Sequence, residues 1–123
     1  MVTLNSDHFS KYCRDLAQLS DATIISTEPN AVFMKVDGAA GFGYIKLTND
    51  NDTGKMEDQT LIEVSEPVVQ AFALSYLNLF NKASTLTTFT RLYMTKEQPL
   101  IVEYKIDGLG TLKYYLAPKV DDQ

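Results

Sequence analysis

The sequence predicts an α+β fold: a β-α-β-β-β unit written twice, with two helices packed on one face of antiparallel sheet. Three observations predict it. Residues from Ser6 to Leu19 carry apolar side chains at helical spacing. Short strand-like runs separated by turn residues follow. After a polar stretch, the same order of patterns begins again.

In the first unit, Phe9, Tyr12, Cys13, Leu16 and Leu19 fall on one helical stripe, and Ser6 or Asp7 is placed to cap the exposed N–H groups. Ala22–Thr27, Val32–Asp37 and Gly41–Thr48 read as strands, with Glu28-Pro29-Asn30 and Asp37-Gly38 as the turns. Asn49 to Asp58 is polar and aperiodic and reads as a connecting loop. Thr60–Val64 then reads as a strand. Ser65-Glu66-Pro67 reads as a helix start, with an oxygen cap and a proline in the first turn. Val69, Phe72, Ala73, Tyr76, Leu77 and Phe80 mark the stripe of the second helix. Thr87–Met94, Leu100–Ile106 and Gly110–Ala117 complete the pattern, the last two joined around Asp107-Gly108. The expected organisation is one domain over residues 1–123, made of pseudo-repeats at about 2–48 and 60–117 joined by the loop 49–59.

Composition narrows the function classes. A chain of 123 residues is large enough for one hydrophobic core. It contains no apolar run near the ~20 residues that cross a bilayer, and Met1-Val2-Thr3-Leu4-Asn5 is unlike a secretory leader. The lone Cys13 excludes an internal disulfide and suits a reducing compartment. A net charge of -5 argues against a surface that is basic all round but leaves room for a local basic face.

No catalytic constellation is visible. His8 has no nucleophile or second ligand at a useful spacing, and Cys13 lies on the apolar stripe with Arg14 turned about 100° away. Asn49 to Lys55 carries too few carboxylates for a calcium loop. Gly54-Lys55-Met56 lacks the glycine and hydroxyl of a phosphate loop, and Gly38 to Gly43 leads into a strand instead of a helix. No metal site and no cofactor is expected. What remains are surfaces: Lys11, Arg14 and Gln18 at i, i+3 and i+7 on the first helix, and Ser75, Asn78 and Lys82 at the same spacing on the second. Two helices on one side of a sheet would join these into a weakly positive face.

The tail is the other distinctive feature. A strand ending in Leu112-Lys113-Tyr114-Tyr115-Leu116-Ala117 must leave its ladder at Pro118, which has no N–H to donate. The apolar then acidic Pro118-Lys119-Val120-Asp121-Asp122 follows. Together with Phe9-Ser10-Lys11-Tyr12-Cys13-Arg14-Asp15-Leu16, Gly38 through Leu47, Glu66-Pro67-Val68, Tyr76-Leu77-Asn78 and Pro99 to Ile106, this tail resembles the eukaryotic sliding DNA clamps of the proliferating cell nuclear antigen family. The similarity spans essentially the whole chain but only the C-terminal half of a clamp subunit.

That resemblance implies a non-enzymatic, nuclear processivity factor of DNA replication and repair: a homotrimeric ring around double-stranded DNA, without sequence preference or a membrane partner. It implies that Lys11, Arg14 and Lys82 face DNA. Family members usually have a further basic residue where this chain has Ser75. Gly41, Phe42, Gly43, Tyr44, Ile45, Lys46 and Leu47 would pair with the neighbouring subunit. Pro99, Tyr115, Ala117, Pro118 and Val120 would line this domain's part of a pocket for docking peptides of polymerases, ligases and nucleases. The family's modified turn lysine is replaced by Glu28-Pro29-Asn30, so that modification is not implied. An alternative reading is a stand-alone, self-associating peptide-binding domain that does not encircle DNA. A small hydrolase or transferase has no residue set behind it.

Overall fold

The computed structural model describes residues 1–39, 41–49 and 59–119. The expected loop therefore lies outside the described residues for most of its length, as do Lys55 and Val120. The described chain is α+β. Strand β1 (Val2–Asn5) runs directly into helix α1 (Ser6–Ala17), followed by β2 (Ala22–Glu28), β3 (Ala31–Gly38) and β4 (Gly41–Thr48). A two-residue β5 (Leu61–Ile62) precedes β6 (Val68–Ala73) and α2 (Leu74–Phe80). A 3-10 segment (Asn81–Leu86) leads to β7 (Phe89–Tyr93), β8 (Leu100–Ile106) and β9 (Gly110–Leu116).

The described strands form two antiparallel sheets where the sequence suggested one. Their orders are β5-β1-β7-β8-β9 and β4-β3-β2-β6. Each contains a strand from the other half of the chain: β1 pairs with β7, and β6 pairs with β2. The exchange ties the halves together through backbone hydrogen bonds. Both helices cover the inner faces of the sheets, α1 over β1 and β7, α2 over β2 and β6, and they pack against each other. Phe9, Cys13 and Leu16 of α1 meet Phe72, Leu77, Val102 and Tyr104 in the buried core. A fully buried side chain such as Phe9 or Leu77 contributes about 1.5–3 kcal/mol relative to exposure.

Two local expectations are corrected. The cap of α1 is neither Ser6 nor Asp7 but Asn5, whose Oδ1 accepts from the backbone of Asp7 at 2.9 Å and His8 at 3.1 Å. Because β1 enters the helix without a loop, the last strand residue serves as cap. Ser6 is already inside, its hydroxyl 2.8 Å from that of Thr90. The same helix closes at Ala17, with the Leu19 and Ser20 N–H groups both donating to the Leu16 carbonyl, so Leu19 lies beyond it.

The second correction is larger. Val68 to Ala73 is a strand, not the first turns of a helix, and Ser65-Glu66-Pro67 caps nothing. Val68 and Phe72 are buried with Gln70 only partly covered, a spacing that suits either period. The edge of β2 decides: Thr27 Oγ1 accepts from Val68 N at 2.9 Å, and the ladder runs from Thr27–Val68 to Ala22–Ala73. The helix starts only at Leu74, whose N–H donates to the Asp21 carbonyl at 2.9 Å. The expected strand at Thr60–Val64 shrinks to Leu61–Ile62 against β1, and that at Thr87–Met94 to Phe89–Tyr93.

Candidate nucleic-acid and peptide interfaces

Burial of Phe9, Cys13 and Leu16 fixes the rotation of α1, so Lys11 and Arg14 are exposed on its outward side. Lys82 is exposed as well, but it sits in the 3-10 segment and not in α2. Since α1 packs against both α2 and that segment, all three cations belong to one helical layer. At about 100° per residue, however, Asp7 and Asp15 lie within 40° or so of Lys11 on the same exposed face. The α1 surface is therefore mixed, two cations with two carboxylates, where the spacing of Lys11, Arg14 and Gln18 suggested a weakly positive face. Asn78 also leaves the expected outward set: it is half-buried, and its Nδ2 donates to the Cys13 carbonyl at 3.4 Å. The exposed side of α2 carries Ser75, Tyr76 and Leu79 and no cation. The carboxylates were legible in the sequence at i±4 from Lys11; the inward turn of Asn78 was not.

Beneath this layer, Cys13 is buried, and burial pushes its thiol from 9.0 up to about 12, with the adjacent Asn81 amide opposing the shift in part. Tyr104 is likewise raised, chiefly by burial, and its hydroxyl donates to Asn81 Oδ1 at 2.5 Å. These are core groups. His8 is exposed at the start of α1 beside Tyr12, their ring centroids 6.4 Å apart.

The second surface lies at the end of β8 and β9. Leu100 pairs with Leu116 and Ile101 with Tyr115, so continuing the register sets Pro99 beside Ala117. Leu100 and Leu116 point into the core; Pro99, Tyr115 and Ala117 therefore share the outward face, with Tyr115 62% exposed. Pro118 follows, half-buried. The sequence-based docking set is thus brought together, except Val120, which is outside the described residues. Two anchors of this region had no sequence signal. Gln70 of β6 accepts from Glu97 N at 2.8 Å and donates to the Thr95 carbonyl at 3.4 Å, holding the turn that leads to Pro99. The tail itself is fastened: Lys119 N donates to the Ala71 carbonyl on the free edge of β6 at 2.7 Å. It is not simply released from the sheet.

The third surface is β4, which among the described strands lies at the edge of its sheet next to β3. Its residues alternate: Leu47 is buried, Gly43 and Ile45 are half-buried, and Gly41, Phe42, Tyr44 and Lys46 are exposed. An edge strand with an unpaired backbone is a template for another strand.

A family model of the proliferating cell nuclear antigen C-terminal domain matches residues 1–119. The chain belongs to this family. Proliferating cell nuclear antigen is a sliding clamp of DNA replication and repair, and its C-terminal domain, as found here, is a non-enzymatic scaffold. The two helices and paired antiparallel sheets are one half of that clamp fold. Among the described residues, no group of three or more acidic, cysteine or histidine side chains is placed to hold a metal, and no helix is long and apolar enough to cross a membrane.

Proposed function

We propose that residues 1–123 act as one clamp-type domain of two repeated units. It would be the C-terminal half of a nuclear, homotrimeric processivity factor that encircles duplex DNA and recruits replication and repair proteins. In this reading the helical layer faces the duplex, with Lys11, Arg14 and Lys82 near phosphates. The mixed charge of α1 favours a loose, sequence-independent contact suited to sliding. The strand Gly41 to Leu47 adds to the sheet of a neighbouring subunit. Among the described strands, β4 and β9 each lie at a sheet edge, and copies of residues 1–123 would self-associate through these edges.

The observation that carries the recruitment role is the register that gathers Pro99, Tyr115 and Ala117 on one outward face beside Pro118. An apolar anchor from a docking peptide of a polymerase, ligase or nuclease fits such a face, with backbone bonds to the tail. Calorimetric titration with such a peptide tests it. We expect residues 1–123 to bind weakly, on the order of tens of micromolar, with binding lost in Tyr115→Ala and reduced in Pro118→Gly. Equal affinity for wild type and Tyr115→Ala would overturn the assignment.

A further inference from the structure

We propose that the outward face of β3 and β4 is a stacking platform for single-stranded nucleic acid. This is separate from the helical layer, which covers the other side of the sheets, and does not depend on DNA passing through a ring. The platform is built by strand alternation. Val32, Met34 and Val36 point into the core, which turns Phe33, Lys35 and Asp37 outward. On β4 the outward residues are Phe42, Tyr44 and Lys46, set opposite Asp37, Lys35 and Phe33 respectively.

The three aromatic rings form one contiguous group. Tyr44 lies 6.3 Å from Phe33 and 6.2 Å from Phe42, centroid to centroid. Two lysines sit at the Phe33 ring, with Nζ of Lys35 5.3 Å and Nζ of Lys46 5.6 Å from its centroid. Phe42 is 64% exposed and Tyr44 59%, so these rings add little to the core. In a chain of net charge -5, a pair of cations interleaved with open rings is a local exception. Its chemistry matches an extended polyanion that carries flat π-faces. Phe42 and Tyr44 are two residues apart on one strand and so present successive surfaces, while the lysines are within reach of phosphates. Stacking on aromatic side chains tolerates any base, and lysine contacts follow the backbone. Asp37, opposite Phe42, repels phosphate at one end and directs the strand's backbone toward the side of Lys35 and Lys46.

The test is fluorescence anisotropy of the full chain at low salt, with a labelled oligo(dT) of about 15 nucleotides and an abasic strand of equal length as probes. Expected are saturable binding of oligo(dT), quenching of tyrosine emission, and about tenfold or more weaker binding of the abasic strand. The double variant Phe42→Ser/Tyr44→Ser should lose a similar factor with an unchanged far-UV circular dichroism spectrum. Lys35→Ala/Lys46→Ala should weaken binding and make the salt dependence shallower by roughly 0.7 per phosphate contact removed. Equal affinity for the two probes, or no loss in the aromatic double variant, overturns the proposal. So does displacement of oligo(dT) by polyglutamate as effectively as by unlabelled oligo(dT), which would make the face a site for acidic peptides. Finally, no oligonucleotide binding, together with self-association in sedimentation that the aromatic double variant abolishes, would assign the face to a second copy.

Discussion

Adding one methyl group at Gly38 should loosen the join between α1 and the hairpin that carries β4. Gly38 is the last residue of β3 and pairs with Gly41 across the turn. A Cβ there would sit 2.0 Å from the backbone oxygen of Leu19 and 3.1 Å from its carbonyl carbon. An ordinary carbon–oxygen contact needs about 3.3 Å, so either the helix exit or the hairpin must move by more than an ångström. The helix exit resists, because Leu19 and Ser20 are both hydrogen-bonded to the Leu16 carbonyl and Leu19 packs against the core. Such overpacking costs about 1–3 kcal/mol. Taking about 2 kcal/mol and about 2.1 cal/mol/K per residue over this length, Tm should fall by roughly 8 °C in Gly38→Ala. Gly43→Ala is the internal control. A Cβ there meets Leu19 Cδ1 at 3.5 Å, an ordinary contact, so stability should stay within about 0.5 kcal/mol. Thermal and urea unfolding followed by circular dichroism measure both. If Gly38→Ala is as stable as Gly43→Ala, the close packing of helix exit on hairpin is wrong.

Because burial raises the Cys13 thiol to about 12, a thiol reagent at pH 8 should label the native chain on the order of a thousandfold more slowly than an exposed cysteine; rapid labelling would contradict the burial. In the unfolded chain this thiol releases its proton near 9.0 while the folded chain keeps it to about 12. Its contribution is therefore complete below about pH 9 and declines as pH rises between those values. Urea midpoints measured from pH 8 to 10 should fall, and Cys13→Ala should flatten part of the fall; Tyr104, also raised by burial, leaves the rest. Removing the α1 cap in Asn5→Ala should cost about 1 kcal/mol without affecting peptide binding at Tyr115, as urea unfolding and calorimetry can check together.

Fold class, the first helix and most strands were legible because their periodicities are long and their turns carry Pro, Gly, Asn or Asp. The failures share a cause. Val68 to Ala73 is apolar at positions that satisfy both helix and strand, and a serine and proline stand just before it, so local pattern favoured a helix. Only the edge of β2, with Thr27 bonded to Val68, made it a strand. Likewise, Asn5, Ser6 and Asp7 are all cap-competent side chains, and only the direct passage of β1 into the helix decides for Asn5.

By itself the sequence determined which residues could be buried, where the chain must turn, and that its tail must leave the ladder at Pro118. These depend on side-chain chemistry and spacing along the chain. Tertiary structure decided what depends on contacts between distant residues. It set the exchange of β1 and β6 between sheets, the attachment of Lys119 to Ala71, and the union of Pro99 with Tyr115. It also gathered Phe33, Phe42 and Tyr44 on one open face. A strand's register and partner are chosen by non-local hydrogen bonds and by which face finds a core, and neither is encoded in any single stretch of residues.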